Sequence, residues 1–258
     1  KWLETHECVI CGSDQIWNNN ITGNGGAYFA VDCNVKKISY AASLGTTQLN
    51  ETQKSNIINY LPSFSSISVR EPGSAEQLTK ILRREIQVVL DPVFLLDRDE
   101  WRKLSRPVSV DSNYLFLYFL QENEKLLECA KKYAEENGLK IYEVHPTLAT
   151  RHNGCKRLEN VGPKEFIWLI ENASCVCTNS FHATAFSTIF RKKLIHIPNS
   201  KSPERTTSLL ERVGIELKTD KEFPFYDISL CDDTNLNFEI EKSKKFLDAV
   251  MESEQYGN

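Results

Sequence analysis

The stretch Ala173-Ser-Cys-Val-Cys-Thr-Asn-Ser-Phe-His-Ala-Thr-Ala-Phe-Ser-Thr-Ile-Phe190 reads as a buried strand, a polar corner and a helix. Ser174 to Thr178 are short, β-compatible and mostly apolar. Asn179 and Ser180 can cap, and Ala183, Ala185 and Phe186 favour a helix that begins near His182. That order places an imidazole at a helix N-terminus, where unpaired backbone N–H groups and the positive end of the helix dipole welcome phosphate or carboxylate. A residue able to move a proton then sits beside an anion site, with the hydroxyls of Ser180 and Thr184 as further donors. The same residues also fit a plainer reading, in which Ser180 caps a core helix and His182 satisfies a backbone carbonyl.

Working outward, the corner is one unit of a longer alternation. Before it come a strand over Tyr114 to Leu120, a helix over Asn123 to Glu136, a strand over Leu139 to Val144, and a polar loop through His145, His152 and Lys156. Gly162-Pro163 opens the helix that leads into the corner, because proline is tolerated at the first helical position, and Phe166, Ile167, Leu169 and Ile170 give it a core face. After it follow a strand at Leu194 to Ile197, a helix over Glu204 to Val213 and a final helix over Asn235 to Glu252. The first half repeats the pattern. Glu7 to Ile10 is strand-like and runs into the polar turn Gly12-Ser-Asp-Gln-Ile-Trp-Asn18; Lys37 to Ser43 is a strand, and Asn50 opens a helix over Gln53 to Leu61. Ile67 to Glu71 is a strand with Arg70 at its tip, Pro72 starts a helix running to Leu82, and Gln87 to Leu90 closes the series. Strands alternating with helices through short loops predict parallel sheets covered on both faces. The first strand comes so early that a further strand and helix are expected upstream of it. The domain junction is expected near residues 91 to 106, with one domain over 1–95 and a second over 107–258, whose last helix either stays there or returns to the first.

Composition fits this. The 258 residues suffice for two α/β domains with real cores, 41% are hydrophobic and 26% charged, and 31 basic against 35 acidic side chains leave a formal charge of −4. No nucleic-acid footprint follows. No apolar run is long enough to span a bilayer, and residues 1–6 do not read as a signal peptide, so a cytoplasmic enzyme is the default. The eight cysteines read as free thiols: Cys8-Val-Ile-Cys11 lies inside a hydrophobic run and no matching pair follows. Neither half offers a carboxylate pair or a His/Cys cluster at ligand spacing, so neither metal nor bound cofactor is predicted.

Gly12-Ser-Asp-Gln-Ile-Trp-Asn18, Ser39-Tyr-Ala-Ala-Ser-Leu-Gly45, Ser68-Val-Arg-Glu71, Leu90-Asp-Pro-Val93 and Thr178-Asn-Ser-Phe-His-Ala-Thr-Ala-Phe186 together resemble, in order and spacing, the polysaccharide pyruvyl transferase family. The resemblance covers nearly the whole chain. It implies two Rossmann-like lobes of the glycosyltransferase-B type facing a cleft, the first truncated at its N-terminus. It also implies a reaction: transfer of pyruvate from phosphoenolpyruvate, the co-substrate, to two hydroxyls of a sugar in a polysaccharide or its precursor, giving a ketal. The acceptor is either free or lipid-linked, and the protein cytoplasmic or peripheral to the inner face of the membrane. Ala183 stands where the family usually has glycine.

On this reading His182 is the acid that protonates the methylene carbon, and Arg70 matches the family's arginine and clamps the anion. An ion pair of Arg70 with Glu71 or another neighbour is the alternative. Asp14 orients or deprotonates a sugar hydroxyl, Trp17 stacks on a pyranose, and Asn18 and Ser43 sit nearby; the alternative for Asp14 and Trp17 is a turn beside a packed indole. Arg205 reaches the phosphate. His145, His152 and His196 are read as structural or surface residues. Two other functions share these features: a nucleotide-sugar glycosyltransferase, and a catalytically inactive relative that binds saccharide or a partner enzyme.

Overall fold

The computed structural model describes residues 5–252 except 24, 32, 47, 148–149, 200–201 and 219–221. The chain divides into two compact units, one made of Lys1–Leu95 with Thr234–Asn258 and the other of Leu96–Asp233.

The first unit runs β1 (Cys8–Cys11), α1 (Asn19–Thr22), β2 (Lys36–Ala42), α2 (Glu51–Tyr60), β3 (Ser66–Val69), α3 (Pro72–Leu82) and β4 (Gln87–Val88), in a parallel sheet of order β1-β2-β3-β4. Local chemistry sets the helix ends. Asn50 and Gln53 form a reciprocal capping box on α2, and Pro72 occupies the first turn of α3. Between Ser39 and Ala42 the β2–β3 register shifts, and two serines take over the lost ladder bonds. Ser39 Oγ donates to the Ser68 carbonyl (3.0 Å), Ser68 Oγ donates to the Ser39 carbonyl (2.9 Å) and accepts from the Ala41 amide (3.2 Å). The core beneath is aromatic: Trp17 stacks on Phe29 at 5.8 Å and meets Phe64 edge-on at 6.1 Å.

The second unit begins with α4 (Arg98–Leu104) and continues β5 (Tyr114–Tyr118), α5 (Glu124–Asn137), β6 (Lys140–Val144), β7 (Cys155–Arg157), α6 (Pro163–Asn172), β8 (Cys175–Thr178), α7 (Phe181–Ile189), β9 (Lys193–His196), α8 (Glu204–Arg212) and β10 (Phe225–Asp227). Its sheet has the order β10-β9-β8-β5-β6-β7. All pairs are parallel except β10 with β9, so the expected all-parallel sheet carries an antiparallel edge. β7 was not expected either: it pairs with β6 where the sequence reads as polar loop. Leu115 and Leu117 of β5 share a core with Leu126, Ala130 and Tyr133 of α5, while Phe116 and Tyr118 turn to the other face and meet Phe166 of α6 at 6.0 and 4.9 Å. Helices therefore cover both sides. From β5 the chain builds outward through β6 and β7, then returns to β8 on the other flank and builds outward the opposite way. The gap between the C-terminal ends of β5 and β8 is thus a topological switch point, the place where open α/β sheets bind ligands.

The last helix, α9 (Thr234–Glu252), belongs to the first unit. The Leu90 amide donates to Ser243 Oγ (2.8 Å), Lys36 Nζ donates to the Val250 carbonyl (2.7 Å), and Phe246 packs on Tyr40 with ring centres 6.4 Å apart.

Gly12 fixes how closely β1 and β2 approach. Its φ is +141°, and a Cβ there would lie 2.0 Å from the Tyr40 carbonyl oxygen. At Gly45, with φ +66°, a Cβ would meet only the ends of the Gln15 and Asn18 side chains. Gly12→Ala is therefore expected to lower stability by roughly 2–3 kcal/mol, and Gly45→Ala by less, in urea unfolding of the two variants beside the wild type.

Candidate functional site

At the switch point β8 ends on Thr178, whose hydroxyl donates to the Tyr118 carbonyl (2.8 Å) and accepts from the Ser180 amide (3.0 Å). Asn179 accepts from the Leu120 amide (2.8 Å) and donates to the Gln121 carbonyl (2.6 Å), fastening the loop that leaves β5 to the corner that leaves β8. Ser180 caps α7, its Oγ accepting from the Ala183 amide (3.4 Å). Every residue of α7 is buried except His182. The helix satisfies its own hydroxyls: Thr184 donates to the Ser180 carbonyl (2.9 Å), Ser187 to Ala183 (2.7 Å) and Thr188 to Thr184 (3.0 Å). This corrects the expectation for Thr184, which is buried and occupied within the helix. Ser180 is buried too and spends its acceptor on the cap.

Arg205 does come to this corner. Its guanidinium carbon lies 5.5 Å over the ring of Phe181, the residue before His182. The two helix starts are braced by His196, which was read as structural or surface and is fully buried. Its Nδ1 lies 2.9 Å from the Thr178 carbonyl and its Nε2 lies 2.7 Å from Thr206 Oγ1 of α8, an arrangement that places the proton on Nδ1. Burial pushes this imidazole down to about 4.

In the first unit, Arg70 is a buried ion-pair hub. With 3% of its side chain exposed, it donates from Nη1 to Asp91 (2.7 Å), from Nε to Glu71 (3.0 Å) and from Nη2 to Asp14 (3.3 Å). Burial alone would push the guanidinium down, but the three carboxylates outweigh it and hold it above its ordinary value. Glu71 and Asp91 are buried, whereas the Asp14 side chain is 59% exposed at the C-terminal end of β1. The ion pair with Glu71, the alternative open in the sequence, is thus present. Trp17 is corrected: it is 1% exposed, sandwiched in the core, and its Nε1 donates to the Tyr28 carbonyl (3.3 Å), so no ring face is left for a sugar. Asn18 is likewise turned inward, capping α1 and donating to Gln15 Oε1 (2.9 Å). Ser43 is buried and accepts from the Gly45 amide (3.0 Å).

A third constellation escaped the sequence reading. In the loops that follow β5 and β6, His145 Nε2 lies 2.8 Å from Glu122 Oε2, and His152 Nε2 lies 3.3 Å from Glu122 Oε1. The other face of His152, Nδ1, lies 2.7 Å from Oε2 of the fully buried Glu143. Among the described residues no group of histidines, cysteines and carboxylates could hold a metal ion, and no helix is long and apolar enough to cross a membrane.

The sequence model of the polysaccharide pyruvyl transferase family matches residues 1–201. This chain belongs to that family. No curated protein matches it in sequence. Among solved structures, a Listeria monocytogenes protein assigned as a UDP-N-acetylglucosamine 2-epimerase is similar with TM-score 0.59 at 9% identity, over 98% of this chain and 75% of that one. The Methanocaldococcus jannaschii UDP-GlcNAc 2-epimerase, solved with UDP-GlcNAc and UDP, gives TM-score 0.54 at 14% identity over 95% and 76%. The Neisseria meningitidis UDP-GlcNAc 2-epimerase, bound to UDP-GlcNAc, gives 0.54 at 12% over 96% and 77%. At these identities the likeness shows the fold alone, which is α/β with Rossmann-like units of the glycosyltransferase-B type.

Two outcomes follow for a transferase of this family built in this way. Arg70→Ala strands two buried carboxylates and is expected to cost roughly 3–5 kcal/mol in chemical unfolding, whereas Asp14→Asn, at the exposed arm of the hub, is expected to cost under about 1 kcal/mol. His196 is neutral when folded and binds a proton near 6.5 when unfolded, so the unfolded chain takes up the extra proton below that value. Stability is therefore expected to fall as pH drops from about 6.5 to about 4, by roughly 3 kcal/mol from this group. His196→Gln should flatten that part of the slope when urea midpoints are compared across the same range.

Proposed function

We propose that this protein transfers the pyruvate unit of phosphoenolpyruvate onto two hydroxyls of a saccharide, forming a cyclic ketal and releasing inorganic phosphate. The observation that carries the reading is His182: in a chain of the pyruvyl transferase family, it alone among the residues of α7 is not buried, and it lies at the switch point between β5 and β8. The α7 N-terminus and the Arg205 guanidinium supply a place for phosphate and carboxylate beside it. His182 gives its proton to C3 of phosphoenolpyruvate, which builds positive character at C2 and opens that carbon to a hydroxyl. The helix dipole disfavours an imidazolium at this position, while bound phosphate and carboxylate favour it, so the substrate arms its own acid. Within the first unit, Asp14, exposed and held by Arg70, offers a carboxylate of the kind that accepts or orients a hydroxyl proton. Arg70, with three carboxylates around it, serves this reading by placing Asp14; an anion reaching it would have to displace that carboxylate. The acceptor is a free or lipid-linked saccharide, and a substrate made in central metabolism puts the reaction in the cytoplasm or at the inner face of the membrane.

A second reading takes support from the structural neighbour solved with UDP-GlcNAc and UDP. The same helix start and arginine would grip the diphosphate of a nucleotide sugar. Calorimetric titration separates the two: binding of UDP-GlcNAc without binding of phosphoenolpyruvate replaces the first reading with the second.

His182→Gln keeps a hydrogen-bond donor but cannot shuttle a proton. Turnover, followed as phosphate release, is expected to fall by roughly a hundredfold to ten-thousandfold while KM for phosphoenolpyruvate changes far less. Near-normal turnover would return His182 to a residue of the fold.

A further inference from the structure

We infer that His152, backed by the buried Glu143, is a second proton-handling group of this reaction and accepts the proton of an acceptor hydroxyl. The inference rests on the ketal-forming reading above, whose chemistry creates the need. Ketal formation breaks two O–H bonds, the C2–O bond to phosphate and the C2=C3 π bond, and makes two C2–O bonds, one C3–H bond and one O–H bond on phosphate. Two hydroxyl protons must be taken up; in the balance one replaces the proton His182 gives to C3, and the other leaves on inorganic phosphate. Each hydroxyl therefore needs a group beside it that accepts its proton as it attacks.

The geometry meets that need. Glu143 sits near the end of β6 with none of its side chain exposed, and its Oε2 lies 2.7 Å from His152 Nδ1. Its other oxygen, Oε1, has no hydrogen-bond partner among the described residues, so nothing on that side draws the carboxylate away from the imidazole. A carboxylate can only accept here, which puts the proton of neutral His152 on Nδ1 and leaves the Nε2 lone pair outward. Outward of it stands Glu122, 3.3 Å away and 48% exposed. A half-exposed side chain can yield to a hydroxyl, and once Nε2 is protonated the same carboxylate stabilises the imidazolium. His145, 2.8 Å from the other oxygen of Glu122, leaves that carboxylate a partner when it turns away from Nε2.

Position agrees with role. The loop after β5 carries Glu122, is fastened to the corner of α7 by Asn179, and borders the loop after β6 that carries His145 and His152. β8, β5 and β6 are neighbours in the sheet, so the exits of β8 and β6 lie about 10 Å apart. The two loops thus leave the sheet on the same edge, on either side of the exit of β5.

The test follows phosphate release from phosphoenolpyruvate with the methyl glycosides of glucose, galactose and mannose, which between them present 3,4- and 4,6-diols. His152→Gln, which keeps a donor to Glu143, is expected to lower kcat on the order of a hundredfold with KM for phosphoenolpyruvate little changed. His152→Ala is expected to regain turnover in proportion to added imidazole, a rescue that a merely structural histidine would not show. An active wild type with His152→Gln indistinguishable from it overturns the inference, and a wild type inert with all three glycosides counts against the ketal-forming reading instead. Independently of turnover, diethyl pyrocarbonate at neutral pH is expected to carbethoxylate His152, more slowly in Glu143→Gln, and to spare His196. An unmodified His152 overturns the inference whatever the activity.

Discussion

The carboxamide of Asn179 holds together what the sheet topology pulls apart. Strands β5 and β8 lie side by side, yet the chain leaves them toward opposite flanks, and a gap opens between their C-terminal ends. Asn179 spans it with one bond accepted from Leu120 and one donated to Gln121. Thr178 adds a third bond across the same pair of strands. Because both loops are fixed by short polar bonds to backbone, the side chains they carry, His182 on one and Glu122 on the other, keep a defined relation without any need for a long helix or a covalent link.

The two units handle charge differently. In the first, the buried guanidinium of Arg70 meets three carboxylates, two of them buried and the third, Asp14, exposed. In the second, the hydroxyls of α7 turn back on their own helix and His196 is kept uncharged between Thr178 and Thr206, while the buried Glu143 carboxylate meets His152.

Much of this could be read from local signals. Asn50 with Gln53, Asn123, Pro72 and Pro163 mark helix starts by chemistry that acts within three residues, and the structure places helices there. Short edge strands were harder. Cys155-Lys-Arg157 has no apolar alternation because only one side of it pairs, and β10 is set by Phe225 packing against Tyr133 far back in the chain. The place of His182 at a helix start was legible because capping chemistry acts locally, whereas contacts with distant partners were not. Trp17 could not declare itself buried without Phe29 and Phe64. Arg70 meets Asp14 and Asp91 on two segments other than its own, and His152 meets Glu143 nine residues back, so neither pairing follows from any period in the sequence.

The return of α9 to the first unit bears on the order in which this protein is made. The second unit is continuous, from Leu96 to Asp233, and all of its strands are available to pair once that segment has left the ribosome. The first unit has its sheet synthesised before the second unit but waits for Ser243 to satisfy the Leu90 amide and for Phe246 to cover Tyr40. During translation its β2–β4 face is therefore bare while the later segment folds, an interval in which a nascent chain is exposed to aggregation and to chaperones. Loss of α9, by truncation or by a break in its apolar stripe, would then injure the earlier-made of the two units and spare the one synthesised just before the lesion.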